Sequence, residues 1–186
     1  MWVPSKSDVS TVFLDRDGTI NVKAPEGKYI TSADDLVLLP GAARAVAALN
    51  GAHIRTILVT NQRWLSGPSG NFARYAAVHV RLLQLLAAEN AWLDGAYHCP
   101  HATATCDCRK PRSGMLLRAA REHGFDLTKS VIVGDSADDI SAGRSAGAST
   151  VLICSERGAE AAADALVDDL SAAVQLILGP LNLCRL

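Results

Sequence analysis

Neither sign of charge dominates this sequence. Its 18 Lys and Arg residues face 19 Asp and Glu, a formal net charge of −1. No broad basic face is therefore available for nucleic acid or an anionic membrane. Long apolar runs are missing as well, and the longest falls far short of the ~20 residues that span a bilayer. The start, Met1 to Asp8, has no apolar stretch of the kind that forms a secretory signal. Aromatic residues are sparse at 5% and charged residues stop at 20%, while hydrophobic residues reach 49%. That balance excludes a disordered chain or a low-complexity fibre. No internal repeat is visible. These exclusions leave a cytoplasmic chain of 186 residues, read as one domain over 1–186 that buries its own core.

Cysteine is distributed unevenly. There are five, Cys99, Cys106, Cys108, Cys154 and Cys184. An odd number in a chain without an export signal argues against a disulfide framework. Three of them fall between Cys99 and Cys108, with His101 among them. Three thiolates and an imidazole form a standard tetrahedral zinc set, and four protein ligands leave no open position, so such a zinc ion is structural. The plainer reading is a loop with adventitious cysteines; four ligand-type residues so close together favour zinc. A zinc loop over 99–111 would stiffen a segment with no core of its own. It would also aim Arg109 and Lys110. Cys154 and Cys184 read as free thiols, and Trp2 and Trp92 as packing residues. His53, His79 and His123 read as surface or packing histidines. His98 points away from Cys99 if Tyr97-His98-Cys99 is extended.

Apolar runs alternate with helical patterns. Thr11–Leu14, Thr56–Val59, Ser130–Val133 and Ser149–Ile153 read as buried strands. Residues 42–49, 71–90, 114–123, 138–146 and 170–178 read as helices, with a tail to 186. Asn71 is placed to cap the second helix, Gly124 to end the third, and Ser136 with Asp139 to form a capping box. This alternation predicts an α/β fold: a mostly parallel sheet with helices on both faces. Such sheets bind ligands beyond the carboxyl ends of their strands. Polar residues follow three strands there: Asp15-Arg16-Asp17-Gly18-Thr19, Thr60-Asn61-Gln62 and Gly134-Asp135-Ser136-Ala137-Asp138-Asp139.

Carboxylates crowded at one edge repel each other, and an oxygen-only site with few carboxylates suits Mg²⁺. Mg²⁺ brings phosphate oxygens, so phosphoryl chemistry follows. An Asp can be the nucleophile and a second Asp, two residues on, the general acid and base. Gly18 allows the tight turn between them. Donors and positive charge around the phosphoryl oxygens complete such a site. Thr60 supplies a hydroxyl, and of only five lysines in the chain Lys110 stands in a turn just before a helix. Asp-x-Asp-Gly-Thr alone is an ordinary turn signal, and Thr60-Asn61-Gln62 alone is a helix-capping pattern. Their order, each after an apolar strand, favours a site.

The segments Val12–Thr19, Val59–Gln62, Lys110 and Val133–Asp139 resemble the four motifs of haloacid dehalogenase (HAD)-like phosphatases, over about residues 10 to 155. The resemblance implies a three-layer, Rossmann-like fold without a large cap domain. It implies Asp15 as nucleophile and Asp17 as acid and base. Mg²⁺ would be held by the Asp15 and Asp135 side chains and the Asp17 carbonyl. Thr60 and Lys110 would stabilise the phosphoryl group, with Asn61, Gln62 and Arg109 among the phosphate or substrate contacts. Asp139 would stand behind them. Structural zinc would be held by Cys99, His101, Cys106 and Cys108. The zinc loop, running into Cys-Asp-Cys-Arg-Lys-Pro, resembles two groups of this family. One is the D-glycero-D-manno-heptose 1,7-bisphosphate 7-phosphatases and the other the histidinol-phosphate phosphatases; Asp15–Val22 and Lys110–Arg118 are closer to the heptose group. Arg63-Trp64-Leu65 departs from that group's small glycine-containing turn, and Lys23–Tyr29, read as a flap beside the site, departs from its pattern too. Trp64 follows a strand whose end is read as catalytic, which leaves two readings open, a packing residue or one lining the substrate site. The implied partner is a small phosphorylated sugar met by a monomer, with no nucleic acid or membrane. A zinc-dependent binding module would rest on the cysteine loop alone.

Overall fold

The computed structural model describes residues 9–68, 70–103, 105–153 and 163–179. Met1 to Asp8 (with Trp2), Cys154, Cys184 and the tail after Gly179 lie outside the described residues. Along the chain run β1 (Thr11–Leu14), α1 (Ala42–Gly51), β2 (Arg55–Asn61), α2 (Phe72–Ala87), β3 (Gly95–Cys99), α3 (Gly114–His123), β4 (Ser130–Gly134), α4 (Ala137–Ala146), β5 (Ser149–Ile153), β6 (Ala165–Val167) and α5 (Leu170–Leu178).

The strands form one sheet in the order β3-β2-β1-β4-β5-β6, and every neighbouring pair is parallel. The pleat sends alternate side chains to opposite faces. Val12 and Leu14 of β1 join Val131 and Val133 of β4 in the core under α1, α2 and α5. Phe13 and Ile132, one residue over, join Met115, Leu116 and Ala142 in the core under α3 and α4. This gives the three layers that the strand–helix alternation predicts. Strand order reverses beside β1, because the chain leaves β3 at one edge and returns as β4 on the other side of β1. A crevice at the carboxyl ends follows from that topology. Between β1 and α1 the chain adds a flap and one 3₁₀ turn, Ala33–Asp35, and no cap domain.

Helix ends match their signals. Asn71 Oδ1 accepts from the Arg74 amide at 3.0 Å, and α3 and α4 end at Gly124 and Gly147. Two strands are absent from the sequence reading. β3 and β6 are edge strands; half-buried and with one neighbour each, they need no continuous apolar run. Trp92 is corrected: it is half-exposed, its indole donating to Asp94 Oδ1 at 3.3 Å. Among the described residues no helix is long and apolar enough to cross a membrane.

Leu58 of β2 is fully buried in the larger core. Leu58→Ala is expected to lower stability by about 2–5 kcal/mol, read as a lower denaturant midpoint at unchanged slope.

Candidate active site

Register brings the strand ends level. Leu14 pairs with Leu58 on one side and Val133 on the other, so Asp15, Thr60 and Asp135 emerge at one edge. The Asp15 amide donates to Val133 O at 3.0 Å, and the turn that follows closes on Arg16 O and Asn21 O. Gly18 sits in that turn at φ +94, and a Cβ there would collide with the Asp135 carboxylate. A side chain is excluded on both counts. Gly134 is likewise bare because Asp139 packs against it.

Lys110 lies at the centre. Its Nζ is 2.6 Å from Asp15 Oδ1, 2.6 Å from Asp139 Oδ1 and 2.8 Å from Val59 O. The residue is 2% exposed. Burial disfavours its charge, but Asp139 and Asp15 outweigh burial and hold its pKa above the ordinary lysine value. Burial pushes Asp15 up to about 7, opposed by Lys110 and reinforced by Asp139 and Asp17. Asn61 fixes the lysine's backbone from both sides: Asn61 Nδ2 donates to Lys110 O at 2.9 Å, and the Lys110 amide donates to Asn61 Oδ1 at 3.1 Å. Asp139 Oδ2 accepts from the Ser136 amide at 3.2 Å and its hydroxyl at 2.5 Å, in the capping box of α4.

The Asp17 carboxylate turns to a separate nest of donors. Arg16 Nη2 approaches both its oxygens at 2.9 and 3.0 Å, Asn21 Nδ2 donates at 2.9 Å and Gln62 Nε2 at 3.0 Å. The Arg16 guanidinium is almost fully buried, so this is a desolvated, charge-assisted contact. Asp17's carbonyl is not among the acceptors of the turn's backbone bonds.

Asp15, Asp135 and Asp139 offer oxygens within 4.8 Å of one another. Asp139 gives both of its oxygens to Lys110 and Ser136, whereas Asp15 and Asp135 each hold one oxygen in an ion pair, with Lys110 and Lys23; these two carboxylates and the Asp17 carbonyl are the groups that would hold a cation. Two buried carboxylates and a carbonyl form a hard, oxygen-only donor set, which fits Mg²⁺. Lys23 of the flap pairs with Asp135 Oδ2 at 2.8 Å. These groups line a cleft of ≈ 350 Å³ closed on one side by residues 23–30. Arg109 lines it too, and its Nη1 is buried without a hydrogen-bond partner among the described residues.

The cysteine loop folds beside this cleft. Sγ of Cys108 is 3.3 Å from those of Cys99 and Cys106, and Cys99 and Cys106 are 3.5 Å apart. These separations are far too long for a disulfide. His101 Nδ1 stands 3.3 Å from Cys108 Sγ and 3.6 Å from Cys99 Sγ. A tetrahedron with Zn–S bonds of ~2.3 Å has ligand–ligand edges near ~3.7 Å, so the four side chains fit a zinc ion closely. Cys99 is anchored in the core under α3 and α4. His98, the next residue back on β3, turns the other way, onto the Tyr75 ring at 4.4 Å.

Comparison with known proteins now decides the family. The chain is 38% identical over 190 residues to the D-glycero-D-manno-heptose-1,7-bisphosphate 7-phosphatase of Thermosynechococcus vestitus, covering 89% of this chain and 94% of that one. It is 32% identical to the corresponding Pseudomonas aeruginosa enzyme, over 91% of this chain and 98% of that one. The chain belongs to the heptose-bisphosphate phosphatase family. A HAD-hydrolase-like family model matches residues 107–173. The crystal structure of the Bordetella bronchiseptica D,D-heptose 1,7-bisphosphate phosphatase with magnesium and phosphate superposes at a TM-score of 0.84, with 30% identity, covering 91% of this chain and 98% of that chain. Membership makes this chain a HAD-superfamily phosphatase.

Of the residues that the sequence points to, Asp15, Asp17, Thr60, Asn61, Arg109, Lys110 and Asp135 all line the cleft. Gln62 does not; it is buried behind Asp17 and Thr60. Of the two readings open for Trp64 the structure takes packing: it lies outside the cleft, buried, with its indole N–H on Gln62 Oε1 at 2.8 Å. Arg16, Asn21 and the flap lysine Lys23 escaped the sequence reading. Arg16 and Asn21 flank Asp17 in an Asp-rich turn, and only the fold shows that they point back at it. Lys23 had a signal, since it sits in the segment read as a flap.

Cys106→Ser removes one of the four candidate zinc ligands from a loop that runs through Cys108 directly into Arg109 and Lys110. Both the melting temperature and phosphate release are expected to fall, because a structural zinc site contributes folding free energy. Stoichiometric zinc in the wild type and its loss in the variant, measured by colorimetric chelation, check this; normal melting and full activity would show that the loop needs no metal.

Proposed function

We propose that the protein removes the 7-phosphate of D-glycero-D-manno-heptose 1,7-bisphosphate, leaving heptose 1-phosphate, through a phosphoryl group carried on Asp15. The observation that carries this reading is the Lys110 ammonium held 2.6 Å from Asp15 Oδ1, in the cleft that Asp17, Thr60 and Asp135 also line. An Asp15 oxygen attacks phosphorus. The bond to the sugar oxygen breaks, and that oxygen takes its electron pair and a proton from Asp17. Water then attacks the phosphorus, gives its proton to Asp17, and Asp15 leaves. The neighbours of Asp17 are all donors, which orients its carboxylate as an acceptor, the form that receives the water's proton. Lys110 and the Thr60 hydroxyl meet the phosphoryl oxygens, where preorganised donors act most strongly. Mg²⁺, held by Asp15, Asp135 and the Asp17 carbonyl, supplies charge neutralisation of those oxygens when bound.

Arg109, with an unpartnered Nη1, is suited to the remaining phosphate or a sugar hydroxyl through its planar fork. Asn61 acts through the Lys110 backbone and Gln62 through Asp17 and Thr60. Histidinol phosphate would meet the same chemistry; the heptose names of the relatives above favour the bisphosphate. Family membership leaves no support for a zinc-dependent binding module. Residues 1–186 act as one domain in this reading, a view supported by the single sheet. A cytoplasmic monomer without nucleic-acid or membrane partners is supported by the net charge of −1 and by the free thiols of the zinc loop.

Asp15→Asn is expected to abolish phosphate release, by about a thousandfold or more, because the amide is no nucleophile. Release at the wild-type rate would defeat the mechanism. In a substrate panel, kcat/KM for heptose 1,7-bisphosphate is expected to exceed that for histidinol phosphate by at least about tenfold, a difference of ~1.4 kcal/mol in transition-state binding. The reverse order would assign the chain to histidinol phosphate.

A further inference from the structure

The 3₁₀ turn Arg63–Ser66, which follows β2, builds a connection behind the active site. Trp64 packs with Leu65, Tyr75 and the flap residue Tyr29. Arg63 Nε donates to the Tyr29 hydroxyl at 3.0 Å. The Trp64 indole N–H donates to Gln62 Oε1 at 2.8 Å, in a buried contact. On its other side the same amide donates from Nε2 to Thr60 Oγ1 at 2.8 Å and to Asp17 Oδ2 at 3.0 Å. Gln62 itself is 1% exposed, and its backbone amide is tied to Cys99 O at 2.8 Å.

A glutamine amide is nearly symmetric in shape, so packing alone does not choose which end is oxygen. Its neighbours choose. An indole N–H is a donor and nothing else. Facing Trp64 it demands the oxygen end, and a flipped amide would set two donors against each other in a place water cannot reach. Asp17 makes a matching demand, but only while its carboxylate rests against Gln62. Trp64 makes it at all times. The consequence falls on Thr60. A hydroxyl has one hydrogen; with Gln62 Nε2 donating to its oxygen, that hydrogen is left to point elsewhere, and Thr60 lines the cleft. With the amide reversed, the Thr60 hydroxyl would donate backward into Gln62.

We propose that Trp64 is a positioning residue for catalysis: it fixes the polarity of the Gln62 amide, and through it the direction of the Thr60 hydroxyl and the seat of the Asp17 carboxylate. The proposal rests on the reading of Thr60 as a phosphoryl ligand and Asp17 as the proton-transfer group.

A double-mutant cycle tests it, using Trp64→Phe, Gln62→Leu and both together in the full chain, with heptose 1,7-bisphosphate and an aryl phosphate as substrates. Trp64→Phe keeps an aromatic ring and deletes the N–H. It is expected to lower kcat about tenfold, the worth of one hydrogen bond, with KM within about twofold. In the Gln62→Leu background the same change should cost less than about twofold. An equal loss in both backgrounds, or none in either, overturns the proposal in favour of packing alone. Should wild type cleave only the aryl phosphate, the heptose assignment fails and the cycle on that ester still decides the role of Trp64.

A readout free of activity accompanies the cycle. Only three tryptophans are present, so Trp64→Phe assigns the Trp64 indole resonance by its disappearance. Gln62→Leu should shift that resonance and remove its exchange protection. Gln62→Glu should retain the protection, because a carboxylate accepts from the indole, yet lose kcat as Gln62→Leu does, because it has no N–H to give. An indole signal indifferent to Gln62→Leu would contradict the proposal, and these two variants decide it even if Trp64→Phe fails to fold.

Discussion

The Lys110 ammonium is buried against Asp15, Asp139 and the Val59 carbonyl, and most of the site's architecture follows from bringing it there. A buried charge is tolerated only with partners of opposite sign and a full set of acceptors. Asp139 serves it from the first turn of α4, where the same carboxylate also caps the helix. Asn61 grips its backbone from the end of β2. The loop that carries Lys110 contributes few apolar residues to either core, so neither the sheet nor the helices can hold it in place. The cluster of Cys99, His101, Cys106 and Cys108 takes over that task, anchored through Cys99 at the end of β3. A zinc ion on these four side chains would substitute for a hydrophobic core in a loop that must still aim a charge.

Small size shapes the rest. With no cap domain among the described residues, the cleft is closed on one side by the flap over 23–30 and shaped by side chains at the strand ends. Two separate groups of polar contacts result. One joins Lys110 to Asp15 and Asp139; the other joins Arg16, Asn21 and Gln62 to Asp17. Keeping them apart gives two carboxylates, two residues apart in sequence, unlike surroundings. Such a difference lets one act as nucleophile and the other as acid and base. The turn that separates them depends on Gly18, whose missing side chain makes room for Asp135.

Much of this was legible in the sequence, and the reasons are local. Buried central strands such as Thr11–Leu14 and Ser130–Gly134 are continuous apolar runs, and their polar successors mark the carboxyl edge. Cys99, His101, Cys106 and Cys108, which the fold gathers into one cluster, lie within ten residues, so their spacing can be read directly. The capping residues Asn71, Ser136 and Asp139 act within one turn. What escaped is long-range or one-sided. Edge strands β3 and β6 carry too little apolar pattern to stand out. Trp64 follows a catalytic strand, and that position alone leaves packing and cleft lining open. Its ring turns away into a small cluster with Tyr75 and Tyr29, two residues remote in sequence. Arg16 and Asn21 were invisible as partners of Asp17, since a turn's side-chain directions are fixed by the fold around it.

The central claim is that a phosphoryl group is transferred to Asp15. Borohydride trapping during turnover, followed by mass spectrometry of the peptide containing Asp15, tests it most directly. An acyl phosphate on Asp15 would be reduced to homoserine at that position, and only while substrate is being consumed. Steady turnover with Asp15 recovered unchanged, or with the modification on another residue, would contradict the account.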